Sequence, residues 1–464
     1  MLRKVEEGRG KREEGMVRAP AVAVVFRRLG AYHHARLNAA STQLNIRAIE
    51  SCGVDCTYAW EKVEGAKRFS RVTLTECEQP EMAWRRTLKA RLWEELNQSR
   101  PDVVAVPGWS VPEALCALEW CMRNGRPAVL MSESARQDEL RRPWKEWVKR
   151  RVVRLCSAAL VGGRLHAEYL MDLGVPHERI FFGYDAVDNE YFANGGKPTG
   201  TAQPHVRSAG FSLQKQKNFP PEPSLTPSLG DFDARCRLKP ALRDYFLASA
   251  RFVEKKNLPR LIEAYARYRK GRRGEREEGG EDTPKRRDAM GEPTPWDLVL
   301  LGDGEMRPTL EAQVAKLNLK DYVSMPGFKQ YAELPRYYTL AGAFIHASTT
   351  EQWGLVVNEA MASGLPVLVS NRCGCAPDLV REGFNGFAFD PFNVQQLAEL
   401  MLGVAQMEPA HLAKMGTRSR GIIAHWGTDR FAKGLQQAVE MALGMPRPRA
   451  TLQDRLLLRA LALR

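Results

Sequence analysis

A chain of 464 residues is too long for one ordinary core and implies two domains, or two with insertions. Its 44% apolar and 27% charged residues are typical of a globular protein, and no apolar window of about eighteen residues offers a membrane-spanning helix. The net charge of +14 excludes less: it suits nucleic acid, an anionic membrane face, phosphorylated substrates, or solvation alone.

Residues 1–18 mix charges of both signs without an apolar core, so they read as a flexible tail and not as a secretory signal. A cytoplasmic location is expected, with peripheral contact to an anionic membrane left open. The first apolar run, "AVAVVF" (Ala21 to Phe26), precedes a glycine, Gly30, and a stretch of helical composition, which predicts strand, tight loop and helix. Short runs recur at "DVVAVPG", "AVLMS", "AALVGG" and "IFFGYD", separated by amphipathic segments such as "PWKEWVKRRVVRLC". Strand and helix alternating at this spacing predict a parallel sheet covered on both faces over residues 19–194.

From 195 to 240 the pattern dissolves into Gly, Pro, Ser, Thr and Lys, the composition of a long disordered linker or insertion. Alternation resumes with "FLASARF", "WDLVLLGDG", "AGAFIHAS" and "LPVLVS", predicting a second doubly wound domain over 241–425. Within it, residues 271–296 are charged and glycine-rich and read as a surface insertion. Residues 426–464 are assigned to C-terminal helices and a tail, "RPRATLQDRLLLRALALR", that predicts a basic amphipathic helix, solvated, partner-bound or on a membrane surface.

Nine cysteines are scattered without a C-x-x-C pair, so neither a disulfide framework nor a zinc site is indicated. Cys373 and Cys375 in "NRCGCAPD" read as a reduced loop pair. The acidic "DFD" at Asp231 to Asp233 falls in the linker-like stretch and reads as a chance match to a metal motif.

Chemistry concentrates in "STTEQWGLVVNEAMASGLPVLVS". "AFIHAS" predicts a strand, "TTEQWG" a loop, and "LVVNEAMAS" a helix whose start at Gly354 and Leu355 offers backbone N–H groups to an anion. Glu351 falls in the loop and Glu359 on the same helix face as Leu355, so both carboxylates are expected in one crevice at the carboxyl end of the sheet. Two carboxylates would repel a bare phosphate but can accept hydrogen bonds from the hydroxyls of a sugar and a ribose. Upstream, Arg251 and Lys256 in "SARFVEKKNLPRLIEAY" follow a strand, a rigid fork and a mobile ammonium suited to a diphosphate.

Taken together, "ARFVEKKN", "LLGDGEMRPTLE", "VSMPGF", the E-x7-E pair and "EGFNGFAFDP" resemble, in order and spacing, the retaining nucleotide-sugar-dependent glycosyltransferases of family four. The resemblance covers nearly all of the C-terminal half and only loosely the N-terminal half, through the glycine loop and "GYDAVDNEYF". It implies the GT-B fold, two Rossmann-like doubly wound α/β domains facing a cleft, and transfer of a hexose-type sugar from a nucleoside-diphosphate sugar to an acceptor hydroxyl. It implies that Glu351 contacts the donor sugar, Glu359 the ribose, and Arg251 and Lys256 the diphosphate, aided by the backbone at Gly354 and Leu355 and by Gly30. No metal and no cofactor besides the donor are implied. Relatives carry a histidine after an N-domain strand that borders acceptor and sugar; here Glu133 stands in that place, and His33 or His34 in "GAYHHARLN" is the candidate to border the acceptor. The alternatives are another GT-B activity such as a nucleotide-sugar epimerase, or a basic nucleic-acid-binding protein, although no nucleic acid is expected as a partner because no zinc-finger or RNP-like motif accompanies the charge.

Overall fold

The structure, a computed structural model, describes residues 18–54, 63, 67–77, 82–196, 245–271, 295–446 and 450–463. The expected linker and surface insertion, and Asp231 to Asp233, lie outside the described residues except at the segment ends.

Two parallel sheets form the framework. The first takes β1 (Ala21–Phe26), β2 (Asn45–Val54), β3 (Ser70–Cys77), β4 (Val103–Pro107), β5 (Ala128–Ser132), β6 (Ala158–Val161) and β7 (Ile180–Phe182) in the order β3-β2-β1-β4-β5-β6-β7. The second takes β8 (Tyr245–Ser249), β9 (Asp297–Leu301), β10 (Val323–Ser324), β11 (Ala343–His346), β12 (Val367–Ser370) and β13 (Gly386–Phe389) in the order β10-β9-β8-β11-β12-β13. Strands such as "VLVS" and "AVLMS" are buried along their whole length, as a sheet covered by helices on both faces requires. The architecture is the doubly wound α/β arrangement that the alternating pattern predicts.

Each sheet reverses its winding once. In the first the reversal lies between β1 and β4, paired Val22 to Val103; in the second it lies between β8 and β11, paired Ala343 to Phe246. At such a reversal the loops leaving two neighbouring strands diverge to opposite sides and open a crevice at the carboxyl edge. Arg251 and Lys256 leave β8, and Glu351 leaves β11, so the second crevice is the one the sequence motifs flank.

The structural boundary between the domains differs from the cut at residue 194. Helix Asn189–Ala193 buries Phe192 in the core of the second domain, against Tyr338 and Met361, while helix Thr428–Gly444 returns to the first domain and buries Phe431, Leu435 and Val439 against Val22, Val24 and Leu160. The chain therefore crosses between domains twice, and each crossing helix completes its host's core. The tail also differs from a free helix: Leu452–Leu463 packs Leu458 and Ala462 on the first domain, and Asp454 takes an ion pair from Arg151 at 2.8 Å.

Candidate functional site

The loop after β8 is held from beneath by the segment "LGDGEM". Phe252 donates its N–H to the Asp303 carbonyl at 2.8 Å, and the Met306 N–H donates to the Phe252 carbonyl at 3.0 Å, which fixes the half-buried Arg251 between them. Glu254–Lys256 is one 3-10 turn, closed by Asn257 in the left-handed region at φ 58°. The buried Asn257 amide donates to the carbonyls of Ala347 at 3.0 Å and Pro391 at 2.8 Å, and the Thr349 N–H donates to the Lys255 carbonyl at 2.9 Å. These bonds tie the loops after β8 and β11 into one unit, with Lys256 at its lip.

Glu351 is the centre of that unit. The Lys256 ammonium donates to its carboxylate, the Ser348 hydroxyl lies 3.3 Å away, and Nε2 of the buried His346 lies 3.5 Å away. Burial alone would push the Glu351 carboxyl up, but the His346 contact and the Lys256 charge outweigh it and hold the group well below the usual carboxylate range. Glu351 is thus a fixed anion beside a fixed cation. Gly354, at φ 103°, turns the chain into helix Leu355–Ala362 with its Cα facing His346; a Cβ there would sit 3.3 Å from the imidazole. The neighbouring "NRCGC" segment passes so close that a Cβ on Gly374 would lie 1.7 Å from the Gln352 carbonyl oxygen. Cys373 and Cys375 are free, buried thiols whose pKa values are raised by burial, inert packing groups and not a redox pair.

Glu359 departs from the expected open crevice. It is fully buried, and its two oxygens accept from two tyrosine hydroxyls: Tyr338 at 2.5 Å from its own domain, and Tyr32 from the helix Ala31–Ala40 of the other domain. Burial raises its pKa to about 7, and the two hydroxyls only partly oppose this. Tyr32 meets Tyr331 edge to ring, and Tyr331 stacks on Tyr191, so the carboxyl closes one end of an interdomain aromatic cluster. The sequence offers Tyr32 only as one residue of "GAYHHARLN", with nothing to mark its reach across the cleft.

The first-domain candidates divide. The Gly30 N–H donates to Nδ1 of His33 at 3.2 Å, and the Leu29 N–H donates to the buried Glu50 at 3.0 Å, so the glycine loop is braced from both sides. Burial and then the charge of Arg36 lower the His33 pKa to about 3, leaving a neutral ring that positions the loop. His34 packs on the Phe69 ring, bonds Asn38 at 3.2 Å, and is lowered to about 4 chiefly by burial. Glu133, in the expected histidine's place, lies near the buried Asp185 and feels the charge of Glu351 across the cleft; burial pushes both carboxyls, Glu133 and Asp185, up.

A further site residue was not read from the sequence. His166, in "GGRLH" after β6, accepts the Gly163 N–H at Nδ1 (3.1 Å) and therefore carries its proton on Nε2, which donates to the Gln352 carbonyl at 2.8 Å, one residue from Glu351. The ring is buried, which lowers its pKa to about 4, and it leans on Trp353. A histidine following two glycines at a strand end was the available signal. Among the described residues no group of three or more His, Cys, Asp or Glu is arranged to hold a metal ion, and no helix is long and apolar enough to cross a membrane.

Residues 235–421 match the family described as Glycosyl transferases group 1. It is similar to the alpha-monoglucosyldiacylglycerol synthase of Acholeplasma laidlawii, 30% identical over 142 residues, which are 30% of this chain and 30% of that one. It is also similar to the sulfoquinovosyl transferase SQD2 of Arabidopsis thaliana, 38% identical over 105 residues, 21% of this chain and 19% of that one. The chain thus spans less than a third of the length of these curated relatives. Across both domains it superimposes on Anabaena HepE solved with UDP and glucose (TM-score 0.61, 15% identity, 90% of this chain and 98% of that one). The sucrose-phosphate synthase of Thermosynechococcus elongatus superimposes equally (TM-score 0.61, 16% identity, 90% and 98%). The fold is therefore GT-B, with the two doubly wound domains that the sequence predicts.

Proposed function

We propose that the chain is a retaining glycosyltransferase that moves a sugar from a nucleoside-diphosphate sugar to an acceptor hydroxyl. The observation that carries this reading is the meeting of Lys256 and Glu351 at the winding reversal of the second sheet, a cation and an ionised carboxylate on loops stitched to each other, with Arg251 earlier on the same loop as Lys256. The diphosphate lies against Arg251, Lys256 and the N-terminus of helix Leu355–Ala362, and Glu351 accepts from the sugar hydroxyls. In the reaction the bond between the anomeric carbon and the diphosphate oxygen breaks, and its electron pair stays with the diphosphate. The acceptor oxygen bonds to the same face of that carbon and passes its proton to the departing oxygen. Charge grows on the leaving group in the transition state, where preorganised cations are most effective. No step calls on a metal ion.

The bound UDP in HepE makes UDP and UDP-glucose the first probes. The test is donor turnover, read as release of nucleoside diphosphate. Lys256→Ala and Arg251→Ala are each expected to lower kcat/KM for the donor by about a hundredfold or more while circular dichroism stays unchanged. Near wild-type turnover in Lys256→Ala would overturn the leaving-group assignment.

A further inference from the structure

Most described tryptophans are buried or half-buried, but Trp144 is 55% and Trp147 54% exposed, and Leu140 just before them is 83% exposed. All three sit on one segment: a loop that leaves β5, then helix Pro143–Val153. Trp144 and Trp147 are three apart and share a face of that helix, and the Arg151 guanidinium lies over the Trp147 ring at 5.2 Å. Both indoles nevertheless keep more than half of their surface exposed among the described residues, and exposed aromatic surface in such a cluster marks an interaction face.

The charge around them is one-sided. Residues 136–154 hold eight Lys and Arg against three Asp and Glu, a far steeper excess than in the chain as a whole. Arg136, Arg141, Lys145, Lys149 and Arg151 form ion pairs with Asp172, Glu139, Glu146 and Asp454. Arg142, Arg150 and Arg154 are exposed and make no ion pair among the described residues. The neighbouring helix Leu452–Leu463, joined to this one through Arg151 and Asp454, adds Leu452 at 74% and Leu456 at 58% exposure, with the exposed Arg455 and Arg459 between and beyond them.

We propose that this face docks on an anionic lipid bilayer. Tryptophan and leucine interleaved with arginine on a short exposed helix is the pattern of an element lying in the headgroup layer, rings at the acyl boundary and guanidinium groups on lipid phosphates. The position gives the contact a purpose that rests on the glycosyltransferase reading. The same loop passes Glu133, which faces Glu351 across the cleft, and Gln137, whose amide donates to the Arg372 carbonyl of the other domain at 3.3 Å. The docking face is therefore continuous with the cleft mouth on the acceptor side, and an acceptor hydroxyl held at headgroup level meets the donor without leaving the membrane.

The test uses the full chain with vesicles of phosphatidylcholine alone and of an equimolar mixture with phosphatidylglycerol. Co-sedimentation and a blue shift of tryptophan emission are expected with the anionic vesicles, fading as salt is raised. Trp144→Ala with Trp147→Ala should lower vesicle partitioning by about tenfold or more, and Arg142→Glu with Arg150→Glu should do the same. UDP affinity measured by calorimetry on the same samples should stay at the wild-type value, which separates this proposal from the donor assignment. Wild-type sedimentation by the double tryptophan variant overturns the proposal. Displacement from vesicles by soluble polyglutamate that is insensitive to the tryptophan changes also overturns it, in favour of an acidic protein partner.

Discussion

Glu351 and Glu359 are eight residues apart and chemically opposite: one is a largely buried anion pinned by Lys256, the other a buried acid with a pKa near 7 between two tyrosines. A carboxyl whose folded pKa lies above its ordinary 4.5 holds its proton more tightly when folded, so its contribution is fully present at low pH and is lost as pH rises from about 4.5 to about 7. At about 1.4 kcal/mol per unit, Glu359 accounts for about 3 kcal/mol of stability lost over that window. Glu359→Gln cannot titrate, so its melting temperature relative to wild type should climb between about pH 5 and pH 8; a difference independent of pH would show that the carboxyl ionises normally. If ribose hydroxyls use this carboxylate, they compete with Tyr32. Tyr32→Phe should then tighten UDP binding several-fold, whereas Glu359→Gln should weaken it by about 1.5 to 3 kcal/mol, as for a lost charged hydrogen bond. Calorimetric titration of both variants checks this, and unchanged affinity in both would remove Glu359 from the donor site. Glu351→Gln should spare UDP, which lacks the transferable sugar that Glu351 contacts, and slow turnover of UDP-glucose.

At the scale of elements, the loops after β8 and β11 act as one body because Asn257 bonds Ala347 and Pro391 and sits at φ 58°. Asn257→Ala breaks both bonds and leaves two buried carbonyls without donors, at about 1 to 3 kcal/mol for the unmet polar groups. It should also misplace Lys256, lowering kcat/KM for the donor; Asn257→Gly relieves the left-handed backbone but restores neither bond, so it should recover some stability and little activity. Turnover and thermal melts of the two variants decide this, and full activity in either would show that Lys256 is placed by other contacts. The sequence made β1, β4 to β9, β11 and β12 legible because they are short apolar runs. It did not announce β2 and β3, for a physical reason: β2 carries Glu50 into the sheet, where it pairs with Arg71 of β3 at 2.8 Å and accepts from Thr73, so the strands read as polar segments. At the site, the placement of Arg251, Lys256 and Glu351 just after strand ends was legible, and their individual roles came only from the family resemblance. Tyr32, His166 and Asn257 were not legible, since each acts through a contact made only when distant segments meet.

At the scale of the molecule, the two domains are joined by more than the cleft. The Asn358 amide donates to the Asp185 carbonyl at 3.4 Å, and His166 donates to the Gln352 carbonyl. Helix Thr428–Gly444 then covers one face of the first sheet, with Phe431 fully buried against its strands. The first domain consequently cannot complete its core until the C-terminal end of the chain has been made and the second domain has delivered it. Phe431→Ala removes a ring from the first domain's core although it lies far beyond the second domain in sequence, and should cost about 3 to 5 kcal/mol. Because the helix follows directly on Ala424–Trp426, whose Trp426 is buried in the second domain's core, the loss should not stay in one of them. Denaturant unfolding followed by far-ultraviolet circular dichroism and by tryptophan emission should give coincident transitions in the wild type, both shifted to lower denaturant in Phe431→Ala. A variant that lowers one transition and leaves the other in place would mean that the domains unfold independently, and that the returning helix is a cover on the first domain and not the tie between the two.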